Sequence, residues 1–354
     1  MAGTPTAWAQ AVARSLEGQR HDGRIADGQA DSLSGRLIAI ADRAQELFCA
    51  MDFTFLMDAR RGLMSIGYHV PDRQLDDSCY DLLASEARLA SFIAIAKGDA
   101  RTKHWALLGR PLCAAGGGAA LASWSGSMFE YLMPGLVMRQ PSTGLLAKTM
   151  RLVVRAQMAY AARFDVPWGI SESAYNARDV HKTYQYSPFG VPDLGLVRGL
   201  ADNLVIAPYA TGLAAMVDPG EAAANYDRLA GLGARGDYGF YEAVDFTGSR
   251  VPVGERYAVV RCYMAHHHGM TLLAIHNAVH DGILRDRFHD EPMMAACDLL
   301  LQERAPRYVP VTPKRARDHD VRTGHEALAA PSVRRYLGSA AFSPAVHRRQ
   351  EGGR

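Results

Sequence analysis

The sequence has few cysteines and lacks both a Cys-x-x-Cys pair and a long apolar run. Its five cysteines are odd in number and widely scattered over 354 residues, a pattern that argues against a disulfide scaffold and against a cysteine-rich zinc site. No segment reaches the roughly 20 uninterrupted apolar residues that a membrane span needs, and residues 1–30 lack the apolar centre of a signal peptide. From these features alone we expect a soluble, intracellular protein.

An excess of charge of one sign is also missing. Lysine and arginine number 39 and aspartate and glutamate 37, which gives a net charge of +2. Such a balance provides no global field to attract nucleic acid or an anionic membrane, and it favours a neutral ligand. The 48% of hydrophobic residues can build a large core, in one large domain or two small ones.

The apolar residues recur mostly at helical spacing. The clearest case is 37–51, and two short apolar runs around a polar turn at 53–68 predict a β-hairpin. Further helices are predicted at about 78–97, 145–164, 206–217, 220–232, 257–280 and 291–304. The long connections 165–200 and 233–256 are rich in glycine, proline and aromatic residues, and loops of this length are usually functional. We therefore predict an all-α body with elaborate loops at one end.

Both ends of the chain differ from its centre. Residues 1–32 are small and polar, and we expect a loose lead-in there. Residues 311–354 carry nine lysines and arginines against four acids, with three prolines, which is typical of a linker or of the start of another domain.

Residues 167–176 surround an acid, Glu172, with small, aromatic and amide side chains. Partial burial beside Trp168 and Tyr175 would raise the pKa of Glu172 towards neutral pH and suit it to general acid or base catalysis. The alternative is a carboxylate at a helix N-terminus, with Ser171 as the cap.

Residues 236–245 surround a second acid, Glu242, with three aromatic side chains in a glycine-rich stretch. Aromatic rings cover the apolar face of a sugar, while carboxylates bind its hydroxyls and act as acid, base or nucleophile. Two such acids would make a glycosidase pair. The alternative is a structural acid among packing aromatics.

A third acid, Glu130, follows a serine-rich segment that contains Trp124. It could bind substrate hydroxyls or orient a catalytic partner. The alternative is the first-turn acid of a core helix, because apolar residues follow it directly.

Three adjacent histidines, His266, His267 and His268, suggest a metal site. Adjacent side chains on a helix point about 100° apart, so the three cannot all face one ion. We favour hydrogen bonding to substrate or to a catalytic carboxylate, and we predict no metal and no cofactor.

Seven motifs follow one another in the central part of the chain. They are Asp52-Phe-Thr-Phe-Leu56, Leu63-Met-Ser-Ile-Gly-Tyr68, Tyr80-Asp-Leu-Leu-Ala-Ser-Glu-Ala-Arg-Leu-Ala90, Ser123-Trp-Ser-Gly-Ser-Met-Phe-Glu-Tyr-Leu-Met-Pro134, Trp168-Gly-Ile-Ser-Glu-Ser-Ala-Tyr-Asn176, Tyr238-Gly-Phe-Tyr-Glu242 and Met264-Ala-His-His-His-Gly-Met270. In this order they resemble the glucoamylase-like domain of bacterial cyclic β-1,2-glucan synthases. Several long motifs in this order are specific for that family, whereas a single motif is not.

The resemblance implies a fold and an activity for residues 33–310. The fold would be an α/α toroid of about six helical hairpins around a sugar-binding cleft, with a small β-hairpin element and long active-site loops. The activity would be a retaining transglycosylation that closes linear β-1,2-glucan into a ring. The alternatives are hydrolysis as an endo-β-1,2-glucanase, or glucan binding without catalysis in a larger synthase.

The resemblance also implies roles for individual residues. Glu172 and Glu242 lie in motifs that look like those of the family's catalytic carboxylates, with Glu172 as acid/base and Glu242 as nucleophile, or the reverse. Asp81, Glu86 and Glu130 lie in other matching acidic motifs and are the replacements. The residues expected to bind substrate are Glu130, Trp124, Trp168, Tyr175, Asn176, Tyr184, Tyr186, Phe240, Tyr241, His266 and His267.

Full-length synthases of this family carry neighbouring glycosyltransferase and phosphorylase-like domains. Residues 333–347 look like the approach to the phosphorylase-like domain, so we expect residues 311–354 to be a linker or its truncated start. The partners implied are β-1,2-glucan and those domains, with no nucleic acid and no membrane span in this chain. The location implied is the cytoplasm, at the inner membrane when the chain is part of a synthase.

Overall fold

The computed structural model describes residues 13–14, 16–17, 20 and 33–304. The chain divides into two units, Met1–Phe55 and Leu56–Arg354. The first contains helix α1 (Leu33–Ala50), which confirms the helix predicted at 37–51. The predicted lead-in lies largely, and the predicted linker at 311–354 wholly, outside the described residues.

The second unit contains more helix than strand. Its helices are α2 (Arg88–Lys97), α3 (Lys103–Leu107), α4 (Met128–Leu132), α5 (Leu145–Ala162), α6 (Pro208–Ala214), α7 (Pro219–Gly231), α8 (Ala265–Val279), α9 (Ile283–Asp290) and α10 (Pro292–Ala295), with 3-10 turns at Met133–Leu136, Leu200–Asp202 and Asp298–Leu301. A further 3-10 turn, Thr54–Leu56, includes the last residues of the first unit and the first residue of the second. Helices α5 to α8 confirm four of the predicted helical stretches; α5, α6 and α8 have shorter bounds, and α7 is shifted by one residue. Among the described residues, no helix combines the length and the apolar character that crossing a bilayer requires.

The strands of the second unit are short and antiparallel. They are β1 (Met57–Asp58), β2 (Leu63–Ser65), β3 (Tyr68–His69), β4 (Gln74–Leu75), β5 (Cys79–Tyr80), β6 (Leu112–Ala115), β7 (Gly118–Leu121), β8 (Ser173–Arg178), β9 (Tyr184–Ser187), β10 (Val205–Ile206), β11 (Arg235–Gly236), β12 (Gly239–Phe240), β13 (Ala243–Asp245) and β14 (Ala258–Val260). In the part of the chain that the structure describes, two sheets have three strands, in the orders β1-β2-β5 and β10-β13-β14, and four have two strands. The pairing of β1 with β2 confirms the predicted hairpin.

Two predicted helices begin later than their apolar pattern suggested. The first part of 78–97 is strand β5 and a turn, so α2 begins at Arg88. The first part of 257–280 is strand β14, which pairs with β13. The β-branched residues Val259 and Val260 suit that strand better than a helix.

The helices and sheets bring distant loops together. Helix α6 packs against α7 and α8, and β13 lies against β8 and β14. The segment before β8 is joined to β10 by the bridge between Ile170 and Ile206, immediately ahead of α6. This arrangement brings the starts of β8, α6 and α8 next to the turn between β12 and β13.

Candidate active site

Glu242 lies in the turn between β12 and β13 and is almost completely buried. Only 2% of its side chain is exposed, and a carboxylate oxygen lies 2.9 Å from Nδ1 of His267. The backbone N–H of Ala174 on β8 donates to Oε1 at 3.2 Å. A buried carboxylate needs such partners, and here both come from elements far away in the sequence.

His267, on the first turn of α8, is held between two tyrosines. Its ring stacks on that of Tyr209 from α6, with centroids 3.7 Å apart and an interplanar angle of 12°. Its Nε2 lies 3.4 Å from the hydroxyl of Tyr186 on β9. The ring is therefore fixed on one face and at both nitrogens.

Tyr209 also fixes the backbone at Glu172. Its hydroxyl donates to the carbonyl oxygen of Glu172 at 3.0 Å and lies 2.7 Å from Oγ of Ser171. Burial raises the pKa of Tyr209 well above its ordinary value, so the phenol stays a neutral donor. Sequence reasoning missed this residue, because no acid or glycine motif surrounds it.

Glu172 lies half-buried immediately before β8, so the helix N-terminus considered for it is wrong. The hydroxyl of Tyr186 donates to its Oε1 at 2.8 Å. Burial raises the pKa of Glu172, while the Tyr186 hydrogen bond and the charge of His267 oppose the rise. A carboxyl whose pKa is shifted by burial and by specific partners is a candidate for a functional residue.

Glu86 is a second half-buried carboxyl, in the turn that leads into α2. Burial raises its pKa, and the charges of Glu130 and Glu172 add to the effect. The hydroxyl of Ser85 donates to Oε2 at 3.1 Å. Burial also raises the pKa of Tyr80, and the charges of Glu86 and Glu172 add to the rise.

A buried arginine supports the turn that carries Glu86. Arg88 is 2% exposed and donates to the carbonyl oxygens of Ser85, Glu130 and Tyr131 at 2.7–3.0 Å. Burial lowers its pKa to about 10. These bonds attach the turn to α4.

Glu130 occupies the position of a first-turn acid in α4, the alternative that its sequence context left open. It forms a capping box with Ser127. Its carboxylate also accepts from the hydroxyls of Ser123 and Ser125 and from the backbone N–H of Trp124. With its oxygens occupied inside the fold, Glu130 has little capacity left for substrate.

The aromatic residues predicted to bind substrate differ in how exposed they are. The indole ring of Trp168 is in the core, with 4% of the residue exposed, which leaves no face for a sugar. Trp124, by contrast, is 60% exposed. Tyr186 is the predicted aromatic residue that touches Glu172.

Tyr175 and Asn176 belong to a cluster around Arg250. The Arg250 guanidinium covers the Tyr175 ring at 4.8 Å and forms an ion pair at 2.7 Å with Asp245, which is buried. Asn176 donates through its backbone to Asp245 and through its side chain to the Arg250 carbonyl. These contacts hold β8 against the loop after β13.

The other predicted residues have separate neighbours. Tyr184 lies against Arg178, Phe240 against Tyr226, Tyr241 against Tyr263, His266 against His267 and His268 against Tyr263. The three adjacent histidines thus point to different surroundings, as helix geometry requires.

Residues 78–292, more than half of the chain, match the model of the family named Glycoamylase. The chain belongs to the Glycoamylase family. This family match covers the turn of Glu86, both strands of the β8–β9 hairpin, and the histidines of α8.

Among curated proteins, this Glycoamylase chain is 51% identical over 332 residues to the cyclic β-(1,2)-glucan synthase NdvB of Rhizobium meliloti. The match spans 94% of this chain but 12% of the length of that relative. It confirms the resemblance inferred from the seven motifs.

Solved structures show the same fold at low identity. An endo-β-1,2-glucanase from Chitinophaga pinensis, in complex with sophorotriose and glucose, is 16% identical with a TM-score of 0.56, covering 79% of this chain and 67% of that one. A β-1,2-glucanase from Parabacteroides distasonis is 14% identical with a TM-score of 0.51, covering 78% and 42% respectively.

Proposed function

We propose that this chain is a carbohydrate-active domain that cleaves β-1,2-glucan and rejoins it by retaining transglycosylation, closing linear chains into rings. The observation that carries the proposal is the 51% identity to a cyclic β-(1,2)-glucan synthase over 94% of the chain. The net charge of +2 suits a neutral glucan. In a full-length synthase, glycosyltransferase and phosphorylase-like domains would be its neighbours, at the cytoplasmic side of the inner membrane.

An α/α toroid is the architecture we propose for the described part of the second unit, residues 56–304, while residues 305–310 of the predicted domain lie outside the described residues. The predominance of helix over strand in the second unit and its similarity to glucanase structures support it. In such a fold the cleft would contain the turn of Glu86, the segment of Glu172 before β8, and Tyr186 on β9.

We propose Glu172 and Glu86 as the catalytic pair, with Glu86 in place of Glu242. Both are half-buried, whereas the Glu242 side chain is 2% exposed and bound to His267. The nucleophilic carboxyl must stay ionised, and the acid must stay protonated. The groups around each carboxyl therefore indicate which of the two roles it has. Glu172 has the Tyr186 donor and the charge of His267, so it is the nucleophile. Glu86 has the Ser85 hydroxyl and its own backbone N–H as donors. Each of the two carboxyls has two acidic neighbours, so the Tyr186 donor and the His267 charge decide the assignment, and Glu86 is the acid/base.

The reaction has two steps. An oxygen of Glu172 attacks the anomeric carbon, the bond from that carbon to the leaving 2-oxygen breaks, and the carboxyl proton of Glu86 goes to that oxygen. A 2-hydroxyl of the same chain then attacks the anomeric carbon, gives its proton to Glu86 and releases Glu172. When water is the acceptor instead, the product is a linear fragment.

The test is incubation of the chain with linear β-1,2-glucan and mass spectrometry of the products. A ring weighs one water less than the linear oligomer of the same length, so cyclic products support transglycosylation. Linear fragments alone make the chain a hydrolase, and binding without turnover makes it a glucan-binding module. Either result would overturn the proposal.

The pair is tested by substitution. Glu86→Gln and Glu172→Gln should each lower kcat about 10²-fold or more, while Glu255→Gln, at an exposed loop position, should not. With an activated β-glycoside and azide, Glu172→Ala should yield the α-azide and Glu86→Ala the β-azide. An α-azide from Glu242→Ala would return the nucleophile role to Glu242.

A further inference from the structure

A continuous series of contacts joins the buried Glu242 to Glu172. Glu242 lies 2.9 Å from Nδ1 of His267, Nε2 of His267 lies 3.4 Å from the Tyr186 hydroxyl, and that hydroxyl lies 2.8 Å from Oε1 of Glu172. Four groups from four separate segments are therefore connected in series. Neither the packing of α8 nor the pairing of β8 with β9 requires this polar alignment.

The direction of the hydrogen bonds follows from the groups themselves. A carboxylate only accepts, so Nδ1 of His267 carries a proton for Glu242, and Tyr186 gives its proton to Glu172. The oxygen of Tyr186 then presents a lone pair to Nε2 of His267. Nε2 must therefore also carry a proton to complete a hydrogen bond. His267 as an imidazolium between Glu242 and Tyr186 satisfies every member of the series.

The surroundings keep this series in place. His267 is 1% exposed and stacked on Tyr209, so its ring cannot turn away without loss of the stack. Ala174, which donates to Glu242, is the cross-strand partner of Tyr186. The β8–β9 hairpin thus contacts both ends of the series.

We propose that Tyr186 is a positioning residue for Glu172, and that Glu242 and His267 act on Glu172 through Tyr186. This rests on the function proposed above. The bond from Tyr186 holds Oε1 of Glu172, which leaves Oε2 to attack the anomeric carbon. The imidazolium polarises the Tyr186 hydroxyl, and Glu242 balances its charge. Glu242 thus supports the nucleophile without touching the sugar.

The first test is Tyr186→Phe in the full chain, which keeps the ring and removes the donor. We expect kcat/KM to fall about 10- to 100-fold, the range for one hydrogen bond to a charged group. The acid limb of its pH profile, which reports ionisation of Glu172, should move up by about one to two pH units. The basic limb, which reports Glu86, should stay.

A change in the pH profile must be traced to Glu172. The other titratable groups that act on its carboxyl are Glu130, Glu242 and His267, and its charge reaches Tyr80, Glu86, Tyr186 and Tyr209. Tyr226→Phe is the control, because it removes the hydroxyl of a tyrosine on α7 whose hydrogen-bond partner is Thr271 and not Glu172. Equal movement of both limbs in Tyr186→Phe, or the same movement in Tyr226→Phe, would overturn the proposal.

A second measurement needs no substrate. Carbon-13 NMR of side-chain-labelled glutamate, assigned with Glu172→Gln, gives the titration midpoint of Glu172. Tyr186→Phe and His267→Gln should both raise this midpoint, because each removes a group that lowers the pKa of Glu172. An unchanged midpoint in either variant would overturn the relay. A wild-type chain that does not turn over β-1,2-glucan would overturn the proposed function alone.

Discussion

At the scale of single residues, four glutamates differ in how the fold satisfies them. Glu130 is surrounded by serine hydroxyls and backbone N–H groups, and Glu242 is bound to His267 and Ala174. Glu86 and Glu172 keep free lone pairs in partly desolvated positions, and burial raises the pKa of both. A fold that leaves two carboxyls under-satisfied loses stability there, as is common at active sites.

The loss of stability at Glu86 predicts how the free energy of unfolding depends on pH. Because the pKa of Glu86 is higher in the folded chain than its ordinary value of 4.5, the folded state binds the proton more tightly, and this carboxyl lowers stability as pH rises above about 4.5. Glu86→Gln should therefore raise the free energy of unfolding at pH 7, and the gain should disappear below pH 4. Urea unfolding at both pH values measures it.

The control for that experiment is Glu255→Gln, which is exposed and should change stability at neither pH. A Glu86→Gln chain that is less stable than the wild type at pH 7 would contradict the prediction, because it would mean that the ionised carboxyl is well satisfied in the fold.

At the scale of elements, the site depends on the close approach of α6 and α8. Tyr209 and Gly212 lie three residues apart on α6, and His267 and Thr271 four apart on α8, so each pair shares a helix face. Tyr209 stacks on His267. A Cβ at Gly212 would lie 2.8 Å from Cγ2 of Thr271 and 2.7 Å from the hydroxyl of Tyr226. The missing side chain at Gly212 sets the helix spacing that permits the stack.

Gly212→Ala should therefore push α8 away from α6. We expect a loss of about 1–3 kcal/mol in the free energy of unfolding, as for other overpacked sites, and a lower kcat because His267 moves relative to Tyr186. Gly231→Ala is the matched control, since a Cβ at the end of α7 meets no atom within 4 Å. Unfolding and kinetics of both variants measure the effect, and a Gly212→Ala chain with unchanged kcat would contradict it.

Helical periodicity predicted the elements better than it predicted their ends. Helix α5 is amphipathic along its length and was found within two residues at its C-terminal end. The apolar pattern predicts helix where strands β5 and β14 form, because a two- or three-residue strand is too short to show an alternating pattern. Such strands form where a partner is available, and the pairing of β14 with β13 joins distant parts of the chain.

At the scale of the whole molecule, the site is made of residues that the sequence keeps far apart. The acids could be found from their aromatic and glycine-rich contexts, and Glu172 was found in this way. What separates Glu242 from Glu86 is burial and partners: Glu242 is bound to a histidine 25 positions later, and no local pattern reveals that bond. Motifs therefore identified the candidate acids, while only tertiary contacts suggest their roles.

The charge of the whole molecule gives the last prediction. With a net charge of +2 and an uncharged glucan, long-range attraction contributes little to encounter, and buried pairs such as Glu242 with His267 are weakly screened by salt. We expect kcat/KM on linear β-1,2-glucan to change by less than about twofold between 50 and 500 mM salt. Sodium chloride and potassium chloride should give the same result, which excludes an effect of one cation. A steep fall with either salt would mean that the chain recognises an anionic ligand, such as a glucan with charged substituents, because only attraction between exposed charges is lost in that way.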